Sequence, residues 1–319
     1  METCPYSPYR SEAARDSCFR YLDSLAAREW LVASEERTVP TSYGPTFVRI
    51  SGPRTAPPLV LLHGAGTTSL MWAPNIQALS AECRAFAVDQ VGVFGKSLCA
   101  RPVQCMNDLL AWLNELFDGL ELTGGVALAG ISYGGALAAQ YALHFPERVG
   151  KLILLAPGNT VLRMNRRFWV RLIALAIVRR RGLAWFFRWV FPVMARKDPK
   201  WIDSICEQLL LSSRNVQRGK LVVPPVLTDI EWSSLWLPVL FLVGEHEVIY
   251  SPVKAVERLK RVAPRVHAEI VPGAGHDLTF AQADAVNQRI LRFLKEEPAV
   301  FQRYEARAGL REQTGTSAP

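Results

Sequence analysis

The stretch from Gly124 to His144 reads Gly-Gly-Val-Ala-Leu-Ala-Gly-Ile-Ser-Tyr-Gly-Gly-Ala-Leu-Ala-Ala-Gln-Tyr-Ala-Leu-His. Its apolar run, 126–129, predicts a short strand buried on both faces, and the small residues of 134–143 predict a helix packed closely on a sheet. Between them lies Gly-x-Ser-x-Gly, centred on Ser132. Between a strand and a helix, this pattern predicts a sharp turn with the serine at its corner and the amino end of the helix aimed at it. The alternative interpretation is a glycine-rich packing turn without chemistry.

This turn resembles the nucleophile elbow of the α/β-hydrolase family, and the family's other motifs occur in the family order over roughly Val39 to Leu294. His63-Gly64-Ala65-Gly66 follows the apolar run 57–62, Gly244-Glu245-His246-Glu247 follows 238–243, and Gly273-Ala274-Gly275-His276 follows the strand 267–271. The resemblance implies an α/β-hydrolase fold with a mostly parallel, eight-stranded sheet flanked by helices.

The resemblance also assigns roles by position. Ser132 is the nucleophile, His276 the base and Glu247 the acid, a place where the family most often has aspartate; Glu245 is the reserve acid. The backbone N–H groups of Ala65 and Tyr133 form the predicted oxyanion hole. The residues predicted to bind substrate are Gly64, Met71, Trp72 and Phe168.

Other candidate residues are interpreted as structural. His63 is expected to hold its loop, His144 to end a helix and His246 to lie in a loop. Gly95-Lys96-Ser97 suggests a phosphate loop, but that motif requires glycine at position 90, which is glutamine. The segment instead resembles the family's loop after the fourth strand, with one extra residue between its glycines.

The chain divides into five predicted regions. Residues 1–36 form an amino-terminal helical arm outside the main fold, with a helix over about 11–30. Residues 37–158 and 236–298 form the two parts of the core, and 159–235, after the sixth strand, form a helical lid. Residues 299–319 are predicted to be a disordered tail.

The net charge of +8 is concentrated in one segment. Between Asn159 and Lys200 there are eleven Arg or Lys residues and one Asp. A packed helical cap, an apolar roof for substrate and a basic surface that contacts anionic membrane are all open interpretations. No nucleic-acid-binding module accompanies the charge. The uncharged run 122–146 is long enough to span a bilayer, but its glycines and polar residues favour a strand and a helix.

Six cysteines without Cys-x-x-Cys spacing predict reduced thiols, and the polar start of the chain does not resemble a signal peptide. A cytoplasmic protein, monomer or homodimer, is expected, without stable membrane insertion. The resemblance implies no metal and no cofactor. It favours a carboxylesterase whose small-molecule substrates are apolar esters; a lactonase, a thioesterase, a cofactor-free perhydrolase and a non-catalytic binding protein remain alternatives.

Overall fold

Eight strands form a single sheet in the computed structural model, which describes residues 8–178, 180–217 and 222–296, with the backbone alone at 175–178 and 180–181. The strands are β1 Glu35–Val39, β2 Thr46–Ser51, β3 Pro58–Leu62, β4 Arg84–Val88, β5 Val126–Ile131, β6 Val149–Leu155, β7 Val239–Gly244 and β8 His267–Val271. Their order is β1-β2-β4-β3-β5-β6-β7-β8. The pairs β1-β2 and β2-β4 are antiparallel and the other five are parallel. The predicted eight-stranded, mostly parallel sheet is confirmed.

Helices cover both faces of the sheet. They are α1 Glu12–Glu29, α2 Ala73–Glu82, α3 Met106–Gly119, α4 Tyr133–His144, α5 Arg166–Val178, α6 Arg180–Val190, α7 Met194–Lys197, α8 Pro199–Asn215, α9 Asp229–Ser234, α10 Pro252–Val262, α11 Leu278–Ala281 and α12 Ala283–Lys295. A 3₁₀ turn, Ser69–Trp72, precedes α2. The run 122–146, which is long enough to cross a bilayer, is divided between β5 and α4. None of the helices within the described ranges combines the length and the apolar character that crossing a bilayer requires.

The core has two layers because the inner strands are apolar on both faces. In β3, Val60 and Leu62 belong to the cluster that contains α3 and α4, whereas Leu59 and Leu61 belong to the opposite cluster with α2 and α12. Successive side chains of a strand point to opposite faces, so a continuous apolar run satisfies both layers. The same parallel strands bring the loops after β3, β5, β7 and β8 to one edge of the sheet.

The first and last strands lie at the sheet edges. The strand 267–271 lies at an edge, since β8 pairs only with β7 among the described strands. The first strand, β1, begins at Glu35, two residues before the predicted start of the core at position 37, and its residues before Val39 are exposed. An edge strand without apolar alternation gives a weak signal, which explains the two-residue difference.

The amino-terminal helix packs on the core, which corrects the expectation that the arm lies outside the main fold. Cys18, Leu22 and Leu25 of α1 are buried in the cluster with α2 and α12. The hydroxyl of Tyr9 donates to the carbonyl of Gly95, in the loop after β4. The apolar residues of α1 are too few to produce a clear amphipathic pattern, so their burial was not anticipated. The arm is therefore part of the layer that contains α2 and α12.

Five helices, α5 to α9, lie between β6 and β7 in the chain, where an insertion was predicted. They occupy the predicted 159–235 region, of which 179 and 218–221 lie outside the described residues. We call α5 to α9 the inserted helices. The predicted tail, 299–319, lies wholly outside the described part of the chain.

Candidate active site

Ser132 occupies a strained turn between β5 and α4. Its backbone has φ 52° and ψ −114°, a region that residues with a side chain rarely adopt. Hydrogen bonds hold it there: its N–H donates to the carbonyl of Leu155 (2.9 Å), and its carbonyl accepts the N–H of Gly158 (3.1 Å). The turn is therefore fixed by the neighbouring strand β6 and by the loop that follows it.

The glycines of the motif are required by close backbone contacts. A Cβ atom at Gly130 would overlap the carbonyl of Gly134, and one at Gly134 would overlap the carbonyls of Leu62 and His63. Neither glycine has a positive φ, so the requirement is space and not conformation. The turn brings the start of α4 directly against the end of β3, which places Ser132 beside the loop that begins at His63.

The structure brings Ser132, His276 and Glu247 together. His276 Nε2 lies 2.9 Å from Ser132 Oγ, and His276 Nδ1 lies 2.7 Å from Glu247 Oε2. Since Glu247 is acceptor-only when ionised, Nδ1 carries the proton and donates it to the carboxylate, which leaves Nε2 free to accept from the serine hydroxyl. Histidine and glutamate are both buried. The arrangement can remove a proton from Ser132.

Two connected loops position the acid and the base. The N–H of His246 donates to the carbonyl of Ala274 (2.8 Å), which ties the loop after β7 to the loop after β8. Glu247 Oε1 accepts the N–H of Ile249 (2.8 Å), so both carboxylate oxygens have donors. Glu245, the reserve acid, points elsewhere: it is exposed and accepts the N–H of Gly273 (3.0 Å).

Burial and charge act in opposite directions on His276. Burial by itself would lower its pKa, but the negative charge and the hydrogen bond of Glu247, with a further contribution from Asp277, outweigh burial and raise the pKa above its ordinary value. A raised pKa makes the imidazole a stronger base than a free histidine. This is the direction that proton removal from a serine hydroxyl needs.

His63 fixes the loop after β3 as a neutral side chain. Its Nδ1–H donates to the carbonyl of Gly64 (2.8 Å), while Nε2 accepts the N–H of Gln90 (3.1 Å). Burial lowers the pKa of His63, which agrees with a ring that donates at one nitrogen and accepts at the other. Its structural interpretation is confirmed by these contacts. The loop is thereby held beside Ser132.

The two amides predicted as oxyanion donors lie beside the serine. Ala65 and Tyr133 both line the cavity above Ser132. Within the described residues, neither backbone N–H has a hydrogen-bond acceptor in the protein. An amide at the first position of a helix has no intrahelical partner, so the Tyr133 N–H is available to an anion.

A cavity of about 320 Å³ opens on Ser132. Its lining in the described chain contains no Asp, Glu, Lys or Arg. Helix α6 contributes four apolar side chains, Phe191 directly after it adds a fifth, and α5 contributes three, of which Phe168 was predicted. Gly64 and Met71 also line the cavity, as predicted. The ring of Phe191 stacks on the ring of His276, with centroids 6.1 Å apart and planes at 18°.

Trp72 is a correction. It was predicted to bind substrate, but it is fully buried in the layer with α2 and α12 and does not line the cavity. The 3₁₀ turn 69–72 directs Met71 toward Ser132 and Trp72 toward the sheet. The sequence alone does not show which of these two adjacent side chains in a tight turn points toward the cavity.

These geometric features agree with comparisons to known proteins. The model of a family described as "Alpha/beta hydrolase family" matches residues 59–289. The chain belongs to this family. A protein named "Uncharacterized carboxylesterase nap" from Bacillus subtilis (strain 168) is 35% identical over 282 residues, covering 88% of this chain and 92% of the relative. Carboxylesterase YbfK of the same organism is 35% identical over 272 residues, covering 83% and 89%.

Solved structures of the family share the whole architecture. The crystal structure of carboxylesterase CesB (YbfK) from Bacillus subtilis covers 90% of this chain and 100% of its own, with a TM-score of 0.79 and 31% identity. That of naproxen esterase (carboxylesterase NP) from Bacillus subtilis covers 89% and 99%, with a TM-score of 0.79 and 32% identity. As a member of the α/β-hydrolase family, the chain has the same fold as these two carboxylesterases over about nine tenths of its length.

Sequence reasoning did not predict which residues around α6 line the cavity of this α/β hydrolase. The cavity is lined there by Leu183, Phe186, Phe187, Val190 and Phe191. Their spacing of three and four residues marks one face of a helix, which was the available signal. That pattern shows which residues share a face but not whether the face meets a core or a cavity.

Two other histidines lie outside the site. His144 ends α4, and its Nδ1 contacts the carbonyl of Gln140 (2.8 Å). His246 is exposed and lies 4.0 Å from Glu245. Of the four histidines considered in the sequence, His63, His144, His246 and His276, the structure brings His276 alone within hydrogen-bond distance of Ser132.

Proposed function

We propose that this protein is a carboxylic ester hydrolase that acts through an acyl-enzyme on Ser132, with His276 as base and Glu247 as acid. One observation carries the proposal: His276 lies within hydrogen-bond distance of both Ser132 Oγ (2.9 Å) and Glu247 Oε2 (2.7 Å). This is the geometry that nucleophilic catalysis by serine requires. The similarity to proteins named carboxylesterases supports ester hydrolysis over other acyl transfers.

In the first half of the reaction, His276 takes the proton of Ser132 as Oγ attacks the ester carbonyl. The resulting oxyanion accepts hydrogen bonds from the N–H groups of Ala65 and Tyr133. The protonated His276 then gives its proton to the alcohol oxygen as the ester bond breaks. Glu247 stabilises the imidazolium and keeps Nδ1–H in place throughout.

In the second half, water replaces the alcohol. His276 removes a proton from the water as it attacks the acyl carbonyl, and the same two amides hold the second oxyanion. When the tetrahedral species collapses, the proton on His276 returns to Ser132 Oγ and the carboxylic acid leaves. The free serine and the neutral histidine are restored.

The preferred substrates are small, uncharged apolar esters. Among the described residues, the cavity lining has no Asp, Glu, Lys or Arg, and its aromatic and aliphatic walls come mostly from α5 and α6. A volume of about 320 Å³ lies at the lower end of ordinary small-molecule pockets. A carboxylate or ammonium group placed inside would lose its hydration without a partner.

We place this activity in the cytoplasm. Within the described ranges, Cys18, Cys83, Cys105 and Cys206 are free thiols, and three of these four are buried. Free thiols are usual in proteins of a reducing compartment.

The proposal is tested by release of p-nitrophenol from acetate, butyrate, octanoate and palmitate esters. Wild type is expected to hydrolyse the short esters and Ser132→Ala to fall to the buffer rate. A fluorophosphonate should add its phosphonyl mass to Ser132 of wild type only. A wild type that is folded, unlabelled and inert on all four esters contradicts the proposal, and lactones and thioesters are then the next substrates to assay.

A further inference from the structure

Helix α5 carries apolar side chains on two opposite faces. Phe168 and Leu172 face the cavity, as the packing of the inserted helices requires. On the outer side, Val170 and Ile173 are 65% and 64% exposed, and Trp169 is 38% exposed. Burial of one face is enough to hold an amphipathic helix on a protein. Most of the surface of Val170 and Ile173 is therefore uncovered in the described part of the fold.

Helix α6 extends this surface. Trp185 is 48% exposed, and the guanidinium of Arg171 lies 4.6 Å from its ring centroid and 4.7 Å from that of Trp189. Arg171 thus links the outer sides of α5 and α6 through two cation–π contacts. We define the outer face by its exposed members: Arg163, Arg166, Arg167, Trp169, Val170, Ile173, Trp185 and Arg188.

All the charged residues of the outer face are arginines, so its charge is positive. Its four arginines form no ion pair with any described residue. The sequence has no Asp or Glu between Asn159 and Lys197. Exposed tryptophan and aliphatic side chains flanked by arginine are typical of helices that lie in the boundary between lipid headgroups and acyl chains.

The outer face borders the entrance to the active site. Trp169 is exposed and also lines the cavity, and so does Val223, which is 45% exposed and precedes Pro224. A flat partner that covers the outer face would therefore lie next to the cavity mouth. Apolar esters dissolved in such a partner could enter without crossing water.

We propose that the outer face docks on an anionic phospholipid bilayer, with Val170, Ile173 and the tryptophans in the headgroup boundary and the arginines on lipid phosphates. A second copy of the chain is disfavoured as the occupant, because a symmetric contact would oppose arginine to arginine. Docking extends the proposed function by naming a source of substrate, but the binding itself does not depend on catalysis.

The experiment is vesicle flotation with full-length Ser132→Ala protein, so that esterase activity plays no part. Vesicles of neutral phosphatidylcholine are compared with vesicles in which 30 mol% of the lipid is the anionic phosphatidylglycerol. We expect at least tenfold tighter binding to the anionic vesicles, since each arginine near the surface contributes roughly fivefold. Raising the salt to about 0.5 M should abolish most of that difference, because the Debye length falls to a few ångströms.

Two double variants and a matched control assign the surface. Arg166→Glu with Arg167→Glu should lose the preference for anionic vesicles, and Val170→Ser with Ile173→Ser should weaken binding at low and high salt alike. Leu31→Ser with Ile230→Ser is the control, because these side chains are 80% and 79% exposed and do not belong to the outer face. It should bind like the parent protein.

Several results would overturn the docking proposal. They are equal binding to neutral and anionic vesicles, no binding to either, an equal loss in the control, or a dimer in light scattering that only the outer-face variants dissolve. The esterase proposal is tested separately, by hydrolysis of p-nitrophenyl butyrate in solution by the wild-type protein, which retains Ser132. If the wild-type protein hydrolyses the ester but the Ser132→Ala protein does not bind vesicles, only the docking proposal is refuted.

Discussion

The carboxylate of Asp277, the residue after His276, accepts the backbone N–H of Met194 (2.7 Å) at the start of α7. Its other oxygen accepts the N–H of Gly275 (3.1 Å). Asp277 is fully buried; burial raises its pKa, and the N–H donors of Met194 and Gly275 oppose that rise. One buried carboxylate therefore joins the histidine loop to the inserted helices.

Asp277→Asn should destabilise the protein and impair catalysis. An amide offers one acceptor oxygen in place of two, so one buried N–H loses its partner, at about 1–3 kcal/mol in the free energy of unfolding. Misplacement of the histidine loop should lower kcat on butyrate esters by roughly tenfold or more. Denaturant unfolding and steady-state kinetics measure the two effects. Asp284→Asn, at an exposed carboxylate nearby in the chain, should change neither; equal losses in both variants would contradict the assignment.

The rate should fall with acid at a pH set by His276. The neutral imidazole is the active form, and the carboxylate of Glu247 raises the pKa of the ring above 6.5. As pH falls through that raised pKa, the ring takes a proton and can no longer accept one from Ser132. The acidic limb of kcat/KM for an uncharged ester should therefore have its midpoint above pH 6.5. A midpoint well below 6.5 would count against the predicted contact with a charged acid.

Substitution of Glu247 and of Glu245 by glutamine should show which of the two carboxylates acts as the acid. Loss of the charge leaves burial as the main influence on His276, so the acidic limb should move to lower pH, and kcat should drop by roughly 10³–10⁴ as in other serine triads. Glu245→Gln should leave both properties unchanged, because Glu245 contacts Gly273 and not His276. Comparison of pH–rate profiles for the two variants decides which carboxylate acts.

Leu172→Phe should shorten the preferred acyl chain. Leu172 faces the cavity, and the added ring carbons would occupy part of its 320 Å³. The ratio of kcat/KM for octanoate to that for acetate should fall by about tenfold or more, since single methylene differences in an apolar pocket are worth about 10–200-fold. Ile173→Phe, one residue on and facing outward, is the control and should preserve the ratio. The chain-length series for both proteins provides the measurement.

Leu22→Ala should show that α1 is part of the core. Leu22 is 2% exposed, and truncating such a side chain costs about 2–5 kcal/mol in the free energy of unfolding. Leu31→Ala, at a leucine that is 80% exposed, should cost less than about 0.5 kcal/mol. Urea unfolding of both variants checks the difference. If the two proteins unfold at the same midpoint, the amino-terminal helix does not support the fold as described.

Motifs at strand ends were the predictable part of the site. The resemblance to the α/β-hydrolase family assigned Ser132, Glu247 and His276 by position, and parallel strands, which place their carboxyl ends at one edge, explain why these residues are neighbours. The sheet followed from apolar runs such as Val60 and Leu62, which need no knowledge of their partners. These signals are local and therefore readable without a structure.

Directions and contacts between distant segments were not predictable. Met71 and Trp72 are adjacent in sequence but point to the cavity and to the core, and only the fold of their turn separates them. Helix α1 has few apolar residues, so its burial depends on α2 and α12, which close the same layer. The spacing of apolar residues in α5 and α6 indicated which side chains share a helix face. It did not show whether that face meets a core or a cavity, because this depends on how the helices pack on the rest of the fold.

Ser132 and His276, the proposed nucleophile and base, are separated by 144 residues. During synthesis on the ribosome, the nucleophile, its oxyanion loop and the sheet strand that carries it emerge first, followed by all the inserted helices, and only then the acid and the base. A nascent chain is thus inert toward esters for more than a hundred codons after its serine has been translated. Labelling of Ser132 by a fluorophosphonate then becomes a readout of completed synthesis and folding, useful for timing both in a translation extract.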